Sequence, residues 1–309
     1  MDVNKLVEEK NNRKHLFTAG PASLVPENIL GLEPCFGRGD SAYLALEDEV
    51  LSQLRQISGH KNIARFQSSG SGALEMMISN FANGNILIVD TGYYSQRACE
   101  MAKTAMSLYK YIKNIELINW TNLEDVSQKY DWILACYTET SIGLKLDISA
   151  LNDLKTQTGA RLMLDATASI GLESGHEVAD AISYSSCKGL FGLVGAGFIA
   201  FNSHPENEIK SFSLDISNHL NKKMTGPYHA ICSILLVLRK YEIFRAAVVN
   251  TKADFCERYR SNLLYSEQNQ PLLCTQVDIE IGAKSNKSIL YQPRMISKGS
   301  SVVCHLGEV

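Results

Sequence analysis

The chain has 309 residues, 45% hydrophobic and 20% charged, with a formal net charge of -3. That size allows one large α/β unit, or a large unit and a small one, with a real core in either case. The weakly negative charge offers no broad attraction for nucleic acid or an anionic membrane, so neither is expected as a partner.

Residues 1–14 are polar and charged and read as a loose or helical N-terminal arm. They lack the apolar stretch of about 7–15 residues that a secretory signal needs. A short strand-like Ile63–Phe66 precedes a Gly/Ser turn and an amphipathic helix over Ala73–Phe81. Apolar, β-branched runs follow at Ile86–Val89, Trp132–Ala135, Leu162–Leu164, Ala181–Ser183 and Phe198–Phe201, each bounded by Gly, Asp, Asn or Ser. Such alternation with helical patterns predicts βα units and a mostly parallel sheet covered on both faces. From Pro227 to Asn250, apolar residues at 231, 234, 235, 238, 243, 244 and 248 predict one long amphipathic helix. Two strand-like pieces, around Leu272–Ile279 and Ser301–Leu306, flank a Ser/Asn/Lys/Gly-rich connection. The expected division is therefore an arm at 1–14, a large domain with its following helix at 15–250, and a reduced small domain at 251–309. Eight cysteines without a C-x-x-C pair argue against a zinc site or a disulfide framework and for reduced thiols in a cytoplasm. No apolar run approaches the roughly 20 residues of a membrane-spanning helix.

Four segments sit where strands end, the edge at which open α/β sheets bind ligands. The first, Gln67-Ser68-Ser69-Gly70-Ser71-Gly72, opens a helix, and reads either as an anion-binding N-terminus or as a plain Ser cap after a turn. The second is Asp165, closing an apolar strand. It is either a turn former or a carboxylate able to hold a pyridine nitrogen protonated. The third is Lys188, set among small residues after the strand at 181–183. It reads either as a solvated loop lysine or as an amine desolvated into a nucleophile. Thr140, in Glu139-Thr140-Ser141-Ile142-Gly143, either offers a hydroxyl to a cofactor oxygen or caps a turn. Taken together, the order is phosphate turn, aromatic Gly92-Tyr93-Tyr94, Glu-Thr, Asp and then Lys. That is the order of pyridoxal-5′-phosphate (PLP) enzymes of fold-type I.

On these segments, with Leu16 to Pro21, Ser213-Leu214-Asp215, Thr225-Gly226-Pro227 and Leu306-Gly307-Glu308-Val309, the chain resembles class V aminotransferases. The likeness is greatest to the 2-aminoethylphosphonate–pyruvate transaminases. The resemblance implies a mostly parallel seven-stranded sheet flanked by helices, a reduced C-terminal α+β small domain, and PLP as cofactor. It implies Ser69, Gly70 and Ser71 at the phosphate, with Ser185 close by, and Tyr94 stacked on the pyridine ring. Thr140 falls at the ring hydroxyl, Asp165 at the ring nitrogen, and Lys188 as the Schiff-base lysine and proton shuttle. Thr225 matches a position that reaches the neighbouring subunit's phosphate, which implies a homodimer with shared sites. No metal is implied.

One departure concerns the substrate. Where the family has a carboxylate-binding arginine, ungapped alignment of Tyr291–Val309 puts Val302, and an isopropyl group cannot replace a bidentate guanidinium. Arg38 and Arg294 are the candidate replacements, each read alternatively as a surface arginine. The expected activity is transamination between a small amine, 2-aminoethylphosphonate-like or an amino acid, and a keto acid such as pyruvate. The alternatives are a PLP lyase, decarboxylase or synthase, and a relative without enzymatic activity.

Overall fold

The computed structural model describes residues 2–11, 15–282 and 288–308, and strand and helix alternate through its centre as the sequence pattern predicts. Residues 12–14 of the arm, 283–287 of the polar connection and Val309 of the closing motif lie outside the described residues.

Seven strands make the central sheet: β1 (Asn62–Gln67), β2 (Gly84–Asp90), β3 (Ile112–Asn119), β4 (Trp132–Cys136), β5 (Arg161–Asp165), β6 (Ala181–Ser185) and β7 (Ala196–Phe201). Their spatial order is β1-β7-β6-β5-β4-β2-β3. β7 runs antiparallel to both of its neighbours, and the remaining pairs are parallel. Because β7 alone is reversed, β1 points the same way as β6. Gln67, Asp90, Cys136, Asp165 and Ser185 therefore all close their strands at one edge.

Helices cover both faces because successive strand residues point to opposite sides. Leu87, Val89, Ile133, Ala135, Leu162, Leu164 and Ile182 pack against α2 (Ser41–Ser58), α5 (Ile148–Thr158) and α6 (Tyr228–Arg239). Ile86, Ile88, Trp132, Leu134 and Met163 pack against α3 (Gly70–Phe81) and α4 (Tyr93–Tyr109). The arm contains α1 (Val3–Lys10), capped by Asp2, whose carboxylate accepts the Asn4 N–H at 3.0 Å.

The sequence pattern misplaces two features. The helix expected over 227–250 is two helices, α6 and α7 (Tyr241–Arg258), broken at Lys240 with φ −116° and ψ 20°. The stripe slips there: Leu238 to Phe244 is a six-residue step, which lands on different faces of a helix. Ile243 accordingly stays 69% exposed while Phe244 and Val248 are buried. β3 was not foreseen, because as an edge strand it buries only Ile112 fully and interleaves Lys113, Asn114 and Glu116.

Near the C-terminus, β8 (Cys274–Val277) and β9 (Ser301–Cys304) pair antiparallel, with Gln276 opposite Val302 and Cys274 opposite Cys304. Both cysteines are buried strand residues, as their pattern predicts. His15–Phe17 adds a parallel pair with Ser288–Leu290, joining the start of the chain to this end.

Candidate active site

At the carboxyl edge of the sheet lies a cavity of about 230 Å³ whose wall includes Gly70, Ser71, Tyr94, Thr140, Asp165, Ser185 and Lys188. Seven of the nine residues predicted for the cofactor thus share one wall. The other two, Ser69 and Thr225, line an adjoining open cavity of about 620 Å³ that shares Gly70, Ser185 and Cys187 with the first.

The anion end is built by α3. Ser69 is its N-cap, and the Gly72 N–H donates to Ser69 Oγ at 3.1 Å. The N–H groups of Gly70 and Ser71 head the helix without intrahelical acceptors and lie on the cavity wall. Glycine is required at 70, since a Cβ there would meet the Thr167 methyl at 2.8 Å and its hydroxyl at 2.9 Å.

At the opposite end, Asp165 is 6% exposed and accepts the Thr167 N–H through Oδ1 at 3.0 Å. Oδ2 has no partner among the described residues. Lys188 follows β6 in a turn held by the Phe191 N–H to Lys188 carbonyl bond at 2.9 Å and the Ala22 N–H to Cys187 carbonyl bond at 2.8 Å. Its aliphatic stem lies on Gly20, where a Cβ would come within 2.9 Å of Lys188 Cγ. The amine reaches 5.8 Å from the centre of the Tyr94 ring.

Tyr94 is positioned by a buried carboxylate. Glu139 accepts the N–H groups of Tyr94 (2.9 Å) and Ser95 (3.3 Å), the Thr91 hydroxyl (3.3 Å), and both the N–H (3.2 Å) and hydroxyl of Ser141. It therefore sits on the positive end of α4. Burial pushes its carboxyl above the ordinary range, against the pull of those hydrogen bonds. Burial likewise holds the Cys136 thiol well above its usual range, and hence neutral.

The wall also contains side chains whose polar atoms are buried without partners: Arg97 Nε, Thr138 Oγ1 and Thr140 Oγ1. Sequence reasoning missed Arg97 and Thr138, and it read Glu139 only as part of a turn motif. The signals were present, since Arg97 lies three residues after Tyr94 on one helix face and Thr138 lies two residues before Thr140 in the same motif.

The two candidate substrate arginines lie outside this wall. Arg38 donates to the Lys223 carbonyl at 2.6 Å and lines a hollow with Gln67 and Thr225. Arg294 sits over the Tyr93 ring, 4.9 Å from its centre, and donates to the Tyr93 hydroxyl. Val302 is 2% exposed in an apolar cluster with Leu273, Cys274 and Cys304. His305 packs on Phe255 and shares a 3.0 Å hydrogen bond between its Nε2 and Thr275 Oγ1. Among the described residues no group of three or more His, Cys, Asp or Glu could hold a metal, and no helix is long and apolar enough to cross a membrane.

The wall fits PLP. It offers free N–H groups at a glycine-floored helix start, a carboxylate with a free oxygen, an amine, and unsatisfied polar atoms beside an aromatic face. No family model matches the chain. A 2-aminoethylphosphonate–pyruvate transaminase of Pseudomonas aeruginosa is 25% identical over 255 residues, covering 74% of this chain and 68% of the relative. Among solved structures, an aspartate aminotransferase from Thermus thermophilus superposes with a TM-score of 0.82 at 19% identity, covering 96% of this chain and 94% of that one. An alanine–glyoxylate aminotransferase from Nostoc gives 0.79 at 20%, covering 95% and 90%. The fold is that of the PLP-dependent transferases of fold-type I. These three similar proteins are named as a transaminase and two aminotransferases.

Proposed function

We propose that the protein is a PLP-dependent aminotransferase moving an amino group from a small amine, 2-aminoethylphosphonate-like or an amino acid, to a keto acid such as pyruvate. The observation that carries this reading is the single wall uniting the α3 N-terminus, Asp165 and Lys188. PLP, when bound, supplies the electron sink for the bonds at the substrate's α-carbon. Gly70 and Ser71 N–H groups hold its phosphate, with Ser69 and Ser185 at the flank. Asp165 keeps the ring nitrogen protonated, Tyr94 covers a ring face, and Thr140 meets the ring oxygen. Lys188 would form the covalent link with the cofactor's aldehyde, releasing water, and once a substrate amine displaces it the freed amine would carry the proton between substrate and cofactor. Arg294 and Arg38 are the candidate anion partners of the substrate. Thr225 and Arg38 share one hollow, and the reading includes a homodimer in which both would face a neighbouring site. The reading also keeps a cytoplasmic location and the division into an arm, a large domain to residue 250 and a small domain beyond it.

Purified protein with PLP should show a Lys188-dependent visible absorbance, lost in Lys188→Ala. Added 2-aminoethylphosphonate or alanine alone should convert it stably to the spectrum of the aminated cofactor, and pyruvate should restore it. The second reading, a PLP lyase, decarboxylase or synthase, is favoured by Val302, buried where a carboxylate clamp is expected. In that case the absorbance returns without a keto acid, while ammonia or a cleaved product appears.

A further inference from the structure

Arg97 is the side chain that the reading above leaves unused. Its guanidinium stacks on the Tyr94 ring at 4.7 Å, it lines the cavity, and its Nε is buried without a hydrogen-bond partner. No carboxylate of the described residues pairs with it. A buried guanidinium N–H without an acceptor is costly, and two hydroxyl oxygens on the same wall, Thr138 Oγ1 and Thr140 Oγ1, are unsatisfied as well. One ligand edge bearing a negative oxygen would satisfy all three.

We propose that Arg97 is the cationic partner of the cofactor's ring oxygen and, with Thr138 and Thr140, holds that oxygen as an anion. This rests on the PLP reading above and adds to it the charge at the ring's oxygen edge. With Lys188 linked to the cofactor, the ring oxygen would share a proton with the Lys188 nitrogen, and a fixed cation beside that oxygen would make the proton easier to lose. Arg97 thereby lowers the pH at which the Lys188-linked cofactor changes colour. The other titratable groups around the cavity are Asp165, Lys188, Cys136, Cys187 and Tyr94, with Glu139 behind Tyr94 and Tyr291 beside it. Of those lining the wall, Asp165 is assigned to the ring nitrogen and Lys188 to the covalent link, which leaves Arg97 as the cation free to meet the oxygen.

The test is a pH titration of the PLP absorbance in wild-type protein, Arg97→Gln and Arg97→Lys. Removing a cation from a partly buried site should move the midpoint upward by about 1–3 pH units in Arg97→Gln, and less in Arg97→Lys, which keeps the charge. A second measurement uses the 3-O-methyl ether of PLP, whose ring oxygen cannot become an anion. Wild-type protein should bind PLP about tenfold or more tightly than the ether, and Arg97→Lys should narrow the gap. An Arg97→Gln midpoint that stays put or falls, or equal wild-type affinity for the two ligands, overturns the assignment of Arg97 alone. Wild-type protein with no Lys188-dependent absorbance at all overturns the PLP reading instead. If Arg97→Gln does not fold, the ether comparison on wild-type protein and Arg97→Lys decides.

Discussion

Asp165 separates charge from shape at the site. Its Oδ1 already accepts the Thr167 N–H at 3.0 Å, and an asparagine oxygen can take over that bond. Asp165→Asn should therefore fold normally while losing the negative charge assigned to the ring nitrogen. We expect its kcat for transamination to fall by about 10²–10³-fold with stability nearly unchanged, as steady-state kinetics beside urea denaturation would show. A drop in stability with little change in kcat would make Asp165 a turn former only. The places of Asp165 and Lys188 on one wall were legible in the sequence because the first ends an apolar strand and the second follows one by three residues, and the order of cofactor-type segments picks this lysine out of many. Arg97 was not legible, since a helical arginine acquires meaning only when its neighbours prove to offer it no anion.

At the scale of elements, α4 depends on a residue that lies outside it. The N–H groups of Tyr94 and Ser95 have no intrahelical acceptor, and Glu139 from the segment after β4 supplies one. Glu139→Ala should leave those donors, and the Thr91 and Ser141 hydroxyls, without it, at a cost of about 3 kcal/mol in urea denaturation. Glu139→Gln keeps an acceptor oxygen and should cost about half as much. If the alanine variant loses less than the glutamine variant, the cap is not what holds Tyr94. The central strands were readable because their apolar runs are continuous, whereas the break at Lys240 was hidden. The first half carries the apolar stripe while the second buries only Phe244 and Val248, and the six-residue step from Leu238 to Phe244 is the trace of the break. β3 escaped because an edge strand leaves half its side chains in water.

For the molecule as a whole, four histidines are buried among the described residues: His60, His176, His219 and His305. Burial pushes His176 down to about 4 from 6.5, with His60 adding to the shift. Burial pushes His305 down to about 3, with the Lys252 charge acting in the same direction. A histidine whose folded pKa is depressed stabilises the fold fully above its unfolded pKa and loses that contribution as pH falls toward the folded value. Between about pH 6 and 4.5, these two residues should then take up roughly two protons on unfolding, so their share of the stability should fall by about 2.7 kcal/mol per pH unit. The two lie far apart in the fold. His176 hydrogen-bonds Ser169 beneath the main sheet, and His305 bonds Thr275 in the β8–β9 pair. If the chain unfolds as one unit, His305→Gln should remove about half of that slope from a single urea transition. If residues 251–309 unfold as a domain of their own, the same variant should flatten an earlier, smaller transition and leave the pH slope of the main one intact. A slope unchanged in both transitions would mean that His305 titrates alike in the folded and unfolded chain, contrary to its complete burial against Phe255.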